Sequence, residues 1–209
     1  MSHPVSPICQ KLILFALQEL KGRFPAWMWR NHAFLDFISW LKEENERRAA
    51  TARAPVFLVG LDIYSMYRAA QHVVEYLERV DKSAAAAARD RYAALALFGG
   101  AAEQEASARY VRALQQGLPS QADHFAAIVS DLLSKETPYS ALKEDGDEFF
   151  GASECAHVAA SAEEYYRESF YGGKDTWNLR DTSMFETLKH AMAFVEKRRH
   201  VGGGRGPRA

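Results

Sequence analysis

Between Thr176 and Leu188 the chain sets a tryptophan, an amide, an arginine and an acid just ahead of an amphipathic run: Thr176-Trp-Asn-Leu-Arg-Asp-Thr-Ser-Met-Phe-Glu-Thr-Leu188. Arg180 is the residue best suited to chemistry, because a guanidinium offers a rigid fork of donors to a carboxylate, phosphate or developing oxyanion. Ser183 and Glu186 have the spacing of a capping box, which predicts a helix starting near Ser183. Arg180 and Asp181 would then stand at its N-terminal mouth, where unpaired N–H groups and the helix dipole favour anions. The competing reading is structural. In it Arg180 pairs with Asp181 or another acid and pins a loop, the commoner fate of such groups.

Other candidates need an element to deliver them. Pro55-Val-Phe-Leu-Val-Gly-Leu61 is short, apolar and bounded by Pro and Gly, which predicts a strand over about 56–61, buried on both faces. Such a strand would present Asp62, Tyr64 and Ser65 at its C-terminal end, where open α/β sheets bind ligands. Trp27-Met-Trp-Arg-Asn31 puts two indoles and a guanidinium within five residues. Trp29 and Arg30 would line a ligand cleft by stacking and hydrogen bonding, unless the indoles are core filler. Asp62, Tyr64, Trp29 and Arg30 are thus the candidate substrate-binding set, beside Arg180 as the candidate catalytic residue.

The rest reads as helix. Ile8 to Leu20 predicts a buried helix, since its apolar run is broken by Gln10, Lys11 and Gln18 and is too short for a membrane span. Asn31 is a suitable N-cap for a helix with Phe34, Phe37, Ile38 and Leu41 on one face. Met66, Ala70, Val73, Val74 and Leu77 make another face, and Ser83 is the expected cap of an alanine-rich run reaching Leu97. Further helices are expected to about Gln116, over Gln121–Leu133 and from near Glu148 to Phe170, the last with Cys155, Val158, Ala159, Ala162 and Tyr166 inward. Lys135 to Gly146 reads as a mixed loop, and Gly172-Gly173 as a stop. The last helix is expected to turn Phe185, Leu188, Met192 and Val195 inward. Residues 201–209 form a Gly/Arg-rich tail of disorder-like composition, leaving 1–200 as the domain.

Composition bounds the function. The 209 residues are 48% hydrophobic and 25% charged, with a formal net charge of -1. That balance fits a soluble globular protein, and neither nucleic acid nor an anionic membrane is an expected partner. Cys9 and Cys155 lie far apart without ligand spacing, as reduced thiols in a cytoplasmic protein would. His72, His124 and His157 fall singly on separate helices, so no metal centre is expected, and no cofactor.

Four stretches in order carry a resemblance to a known family. They are Arg23-Phe-Pro-Ala-Trp-Met-Trp-Arg-Asn31; Gly60-Leu-Asp-Ile-Tyr-Ser65, continuing into Tyr76-Leu-Glu-Arg-Val-Asp81; Ala162-Glu-Glu-Tyr-Tyr-Arg167; and Trp177-Asn-Leu-Arg-Asp181 with Met184 and Glu186-Thr-Leu188. Together they resemble the erythromycin esterase family, a group of hydrolase-like proteins. The resemblance implies an α/β fold whose helices surround a sheet and enclose a cleft. It also implies hydrolysis of an ester or macrolide lactone by a histidine that activates water, helped by acids and arginines. The family's Gly-Glu-x-x-His-Gly motif is not found in this sequence. Ser183 stands where the signature usually has the histidine before its methionine, and the C-terminal histidine motif is not recognisable.

A partial member is therefore expected: mainly α, the helical middle portion of such a fold with one or few strands. Loss of a general base typically lowers a rate by about 10²–10⁴. Two readings of different class follow. One is a hydrolase acting on a small-molecule ester or lactone; the other is a non-catalytic helical remnant that binds a small ligand or partner through the same cleft.

Overall fold

The computed structural model describes residues 27, 31–53, 55, 56, 58–96, 103–140, 146–172 and 175–202. Trp29, Arg30, the expected helix over Ile8–Leu20, the glycine pair at 99–100 and the tail beyond 202 lie outside the described residues. The chain divides into two compact units, Met1–Val59 and Gly60–Ala209.

In the first unit, α1 (His32–Ala50) begins where expected. Asn31 caps it, its Oδ1 accepting the Phe34 N–H at 2.8 Å. Its apolar residues are not core, however: no residue of α1 is buried, and Trp40 is 54% exposed.

The expected strand over 56–61 is not there; the described residues contain no strand. An extended segment holds its shape only if its backbone polar groups find partners. Here the Asn45 side chain supplies them to Val56, its Oδ1 accepting the Val56 N–H at 2.7 Å and its Nδ2 donating to the Val56 carbonyl at 3.0 Å. One amide in place of a neighbouring strand satisfies one residue, and Leu58 and Val59 are exposed. The apolar run over-predicts a buried strand because apolar content does not itself provide a pairing partner.

The second unit is helical: α2 (Met66–Val80), α3 (Lys82–Arg91), α4 (Ala93–Ala96), α5 (Glu103–Gln115), α6 (Ala122–Ser134), α7 (Glu136–Ser140), α8 (Gly146–Phe170) and α9 (Thr176–Gly202). The protein is mainly α. The central helix is α8, which packs on α2, α5, α6, α7 and α9. Ala152, Ala156, Ala159 and Ala162 run along its inner side, all fully buried. Small side chains at this spacing form one stripe and let neighbouring helices approach closely. Larger groups on those neighbours fill the space, among them Met66, Val73 and Tyr76 of α2, Tyr110 of α5 and Phe125 of α6. Cys155, Val158 and Tyr166, expected inward, are half-buried at the edge of the stripe. Gly172, at φ +73°, takes the left-handed conformation that ends α8.

The cap of α3 is Asp81, not Ser83. Asp81 accepts the Ala84 N–H at 2.9 Å, and its Oδ2 also accepts from Lys135 Nζ and from the Tyr139 hydroxyl, both at 2.8 Å. One carboxylate thus ties the α2–α3 junction to α7, inside what reads as a mixed loop. The Lys135 ammonium, then the Ala84 N–H, hold the Asp81 carboxyl well below the usual carboxylate range. A depressed folded-state pKa contributes stability that is present above the unfolded value of about 3.9 and is lost as pH falls further. Asp81→Ala is accordingly expected to cost roughly 1–2 kcal/mol at neutral pH, as loss of a good cap does. It should also flatten the fall in stability below about pH 4. Urea unfolding followed by circular dichroism at neutral and acid pH checks both.

Candidate functional site

Helix α9 starts at Thr176, seven residues before the expected capping box, with the Leu179 N–H donating to the Asp175 carbonyl at 3.0 Å. Ser183 is therefore two turns inside the helix and buried, and Glu186 pairs with Lys189 at 2.8 Å instead of closing a cap. No helix mouth opens at Ser183. Any donors offered there to an anion must come from the Arg180 guanidinium itself.

The burial of α9 is also turned relative to expectation. Phe185, Leu188, Met192 and Val195 are 43–59% exposed, while Ser183 and Thr187 are buried. The inward stripe is Arg180, Ser183, Thr187, His190 and Phe194, at alternating steps of three and four residues. Phe194 stacks on Phe150 of α8 at 4.3 Å and His190 reaches Glu154, so α9 runs antiparallel to α8 with a largely polar seam between them.

At one end of that seam Arg180 meets Asp62. Its Nε and Nη2 donate to Oδ1 and Oδ2 at 3.0 and 2.8 Å, a two-point fork. The guanidinium lies over the Tyr64 ring at 4.7 Å and near the Trp177 ring at 5.6 Å. Tyr64 in turn sets its ring edge-on to Tyr165 of α8, with the two hydroxyls 3.3 Å apart. Asp62 orients itself locally by accepting the Ile63 N–H at 2.8 Å. Burial, then the Tyr165 contact, push the Tyr64 hydroxyl up to about 12, and the bond to Asp62 raises Arg180 further above neutrality. Arg180 is thus a permanent cation, and Tyr64 a neutral phenol at neutral pH. The Asp62 side chain is 42% exposed, so the pair's net worth to stability is small, of order 1 kcal/mol at most. Its effect is positional.

Three separate stretches converge here: Gly60–Ser65 through Asp62 and Tyr64, Ala162–Arg167 through Tyr165, and Trp177–Leu188 through Arg180. These are three of the four that carry the resemblance seen in the sequence. The erythromycin esterase family model matches residues 14–202. The chain belongs to the erythromycin esterase family. This is an esterase-like hydrolase family. No solved structure matches the chain significantly.

For this erythromycin esterase family member, Asp62, Tyr64 and Arg180 are brought together, and Trp29 and Arg30 lie outside the described residues. Arg180 does pair with an acid, as the structural reading held, but with Asp62, 118 residues away, and not with Asp181. An arginine carries five N–H donors, and the Asp62 fork takes two of them. About three remain for another acceptor. Tyr165 is absent from the candidates drawn from sequence. Its only signal is its place in the third matched stretch.

Among the described residues, the groups against Arg180 are Asp62, Tyr64 and Trp177, and none is a histidine. Histidines do meet elsewhere: His157 of α8, which looks isolated in the sequence, lies against His190 of α9 with ring centres 5.0 Å apart. A separate concavity is lined by Leu77, Ala84, Ala88, Ile128, Leu132 and Tyr139, with Arg91, Asp131 and Lys135. It holds none of the candidate site residues and lies beside the Asp81 staple. No described helix is long and apolar enough to cross a membrane.

Proposed function

We propose that this erythromycin esterase family member binds the carbonyl of a small-molecule ester or lactone at Arg180 and hydrolyses it by attack of water. The observation that carries the reading is the Arg180 fork: Asp62 fixes the guanidinium while leaving donors unspent. A preorganised cation aimed at a developing oxyanion stabilises the transition state more than the ground state. Tyr64 and Trp177 bring flat apolar rings close to the cation, surfaces suited to a macrocycle or an acyl chain. In this scheme Arg180 is the catalytic residue, Tyr64 a substrate-binding wall, and Asp62 the residue that positions Arg180.

A second reading has an observation of its own. Among the described residues no histidine lies against Arg180, and the neighbouring phenol is held protonated. A site with an oxyanion donor and no histidine to take the proton from water binds esters without turning them over.

Turnover of a macrolide lactone and of a chromogenic ester by the purified chain separates the two. It is run beside Arg180→Ala, with both proteins shown folded by circular dichroism. The hydrolase reading expects turnover by the parent and a loss of about 10²–10³ in kcat for the variant, the usual effect of removing one oxyanion donor. A folded parent that binds the lactone and leaves it intact sinks that reading and establishes the second.

A further inference from the structure

A second constellation lies further along the α8–α9 seam. Arg180 and His190 share the inward face of α9 ten residues apart, which at 1.5 Å per residue is about 15 Å. Glu154 and His157 stand one turn apart on α8, in a Glu-x-x-His spacing that puts both side chains on one face. His190 faces them from α9, its Nδ1 2.9 Å from Glu154 Oε1. One ligand atom from each of the three lies within 4.8 Å of the others.

We propose that Glu154, His157 and His190 form a binding site for a divalent first-row transition-metal ion, with zinc as the best match. Two imidazoles and one carboxylate are a donor set that such ions accept, with a fourth position left for water or another ligand. A second observation points the same way. Glu154 Oε2 is buried without a hydrogen-bond partner, in a side chain only 12% exposed. A carboxylate oxygen in that position is expected to have a partner, and a cation would provide one. Burial disfavours charge on Glu154, and burial together with the neighbouring His190 disfavours it on His157. A neutral imidazole is the form that ligates, and a dication offsets the carboxylate's lost hydration.

The geometry is that of a site poised to close. Bonds of about 2.0–2.1 Å in a tetrahedral arrangement put ligand atoms roughly 3.4 Å apart. The three ligand atoms now lie within 4.8 Å of one another, a looser set than that, so binding would draw the three side chains together. His190 remains 38% exposed, which leaves an approach from solvent. The adjacent Cys155 thiol, pushed up to about 11 by burial and the nearby Glu154 charge, is not expected to take part as thiolate. A metal here would clamp α9 onto α8, independently of whether Arg180 acts on an ester.

The test uses the full chain freed of metal by a chelator and dialysed. Zinc is titrated by calorimetry and by competition with a chromogenic chelator, beside His190→Ala and Glu154→Gln. The expected result is one site per chain, weakened at least tenfold by each substitution, since even outer-shell changes cost about 10–100-fold. Exposed His124 of α6 is the control, and His124→Ala should bind as the parent does. Cobalt in the unsubstituted protein provides a readout that needs no variant to fold. The intense visible bands of a four-coordinate site without a thiolate charge-transfer band support the assignment. Absence of stoichiometric binding by the parent overturns the proposal. So does binding that survives both substitutions, or a cobalt spectrum that reports thiolate ligation.

Discussion

Arg167→Ala is expected to cost about 3–5 kcal/mol of stability, because it strands a charge that the fold has fully buried. That charge is Glu163, 0% exposed in the middle of α8. Its Oε1 accepts from the Tyr110 hydroxyl at 2.9 Å and from Ser120 Oγ at 3.4 Å, and its Oε2 faces Arg167 Nε at 3.4 Å. The arginine contact is long for a hydrogen bond, so its contribution is chiefly electrostatic in a medium that screens poorly. Arg167 is itself anchored by Glu168 at 2.7 Å, which leaves it little freedom to move away. Glu163→Gln should cost less, roughly 1–3 kcal/mol, because an amide removes the buried charge yet still accepts from Tyr110. In urea, with a slope of about 1–3 kcal/mol per molar, Arg167→Ala should lower the midpoint by roughly 2 M. A shift as small as that of an exposed ion pair would mean that water reaches Glu163 in solution. The network matters to the candidate site because it fixes the stretch of α8 that carries Tyr165.

Periodicity made most of the helices legible, and their ends were marked by residues whose chemistry is local. Asn31 caps α1 as its type predicts, and Gly172 ends α8 by taking a positive φ. Ser83 failed as a cap because Asp81, two residues earlier, has the stronger acceptor and two further partners brought by the fold. The capping box at Ser183 and Glu186 failed for the opposite reason. Nothing in Trp177–Thr182 breaks a helix, so α9 extends back through it to Thr176. Spacing identifies a box wherever serine precedes glutamate by three, including the interior of a helix.

The candidate site was legible in part, and the difference is one of range. Arg180, Asp62 and Tyr64 were each visible as residue types suited to a cleft. That Asp62, rather than Asp181, holds Arg180 is a contact across 118 positions, which no local pattern encodes. The Glu154–His157–His190 cluster is invisible in the sequence because its two histidines sit on different helices, 33 positions apart. Its half on α8 follows a three-residue spacing, but the other half depends on how α9 is rotated. That rotation ran against the hydrophobic pattern. The polar seam of Ser183, Thr187 and His190 turns inward, and the apolar stripe faces out.

Phe125→Ala set against Leu188→Ala turns this inversion into a measurement. Phe125 is fully buried on α6, with its ring 5.0 Å from Tyr92 in an edge-on arrangement, and α6 packs directly on α8. Removing a buried phenylalanine leaves a cavity that neighbours fill only partly, so Phe125→Ala should cost about 3–5 kcal/mol. Phe125→Leu keeps most of the volume and should cost under about 1.5 kcal/mol. Leu188, 43% exposed, has the stronger claim to burial on hydrophobic periodicity, lying in register with Phe185, Met192 and Val195. If α9 presents its polar seam to α8, Leu188→Ala should change stability by no more than about 0.5 kcal/mol, as surface substitutions do. Thermal and urea unfolding of both variants gives the comparison. Equal losses would mean that the stripe is covered in solution and α9 is rotated from the arrangement described. The Arg180–Asp62 fork and the Glu154–His157–His190 cluster would then lose their common geometric basis, since both depend on the same inward face.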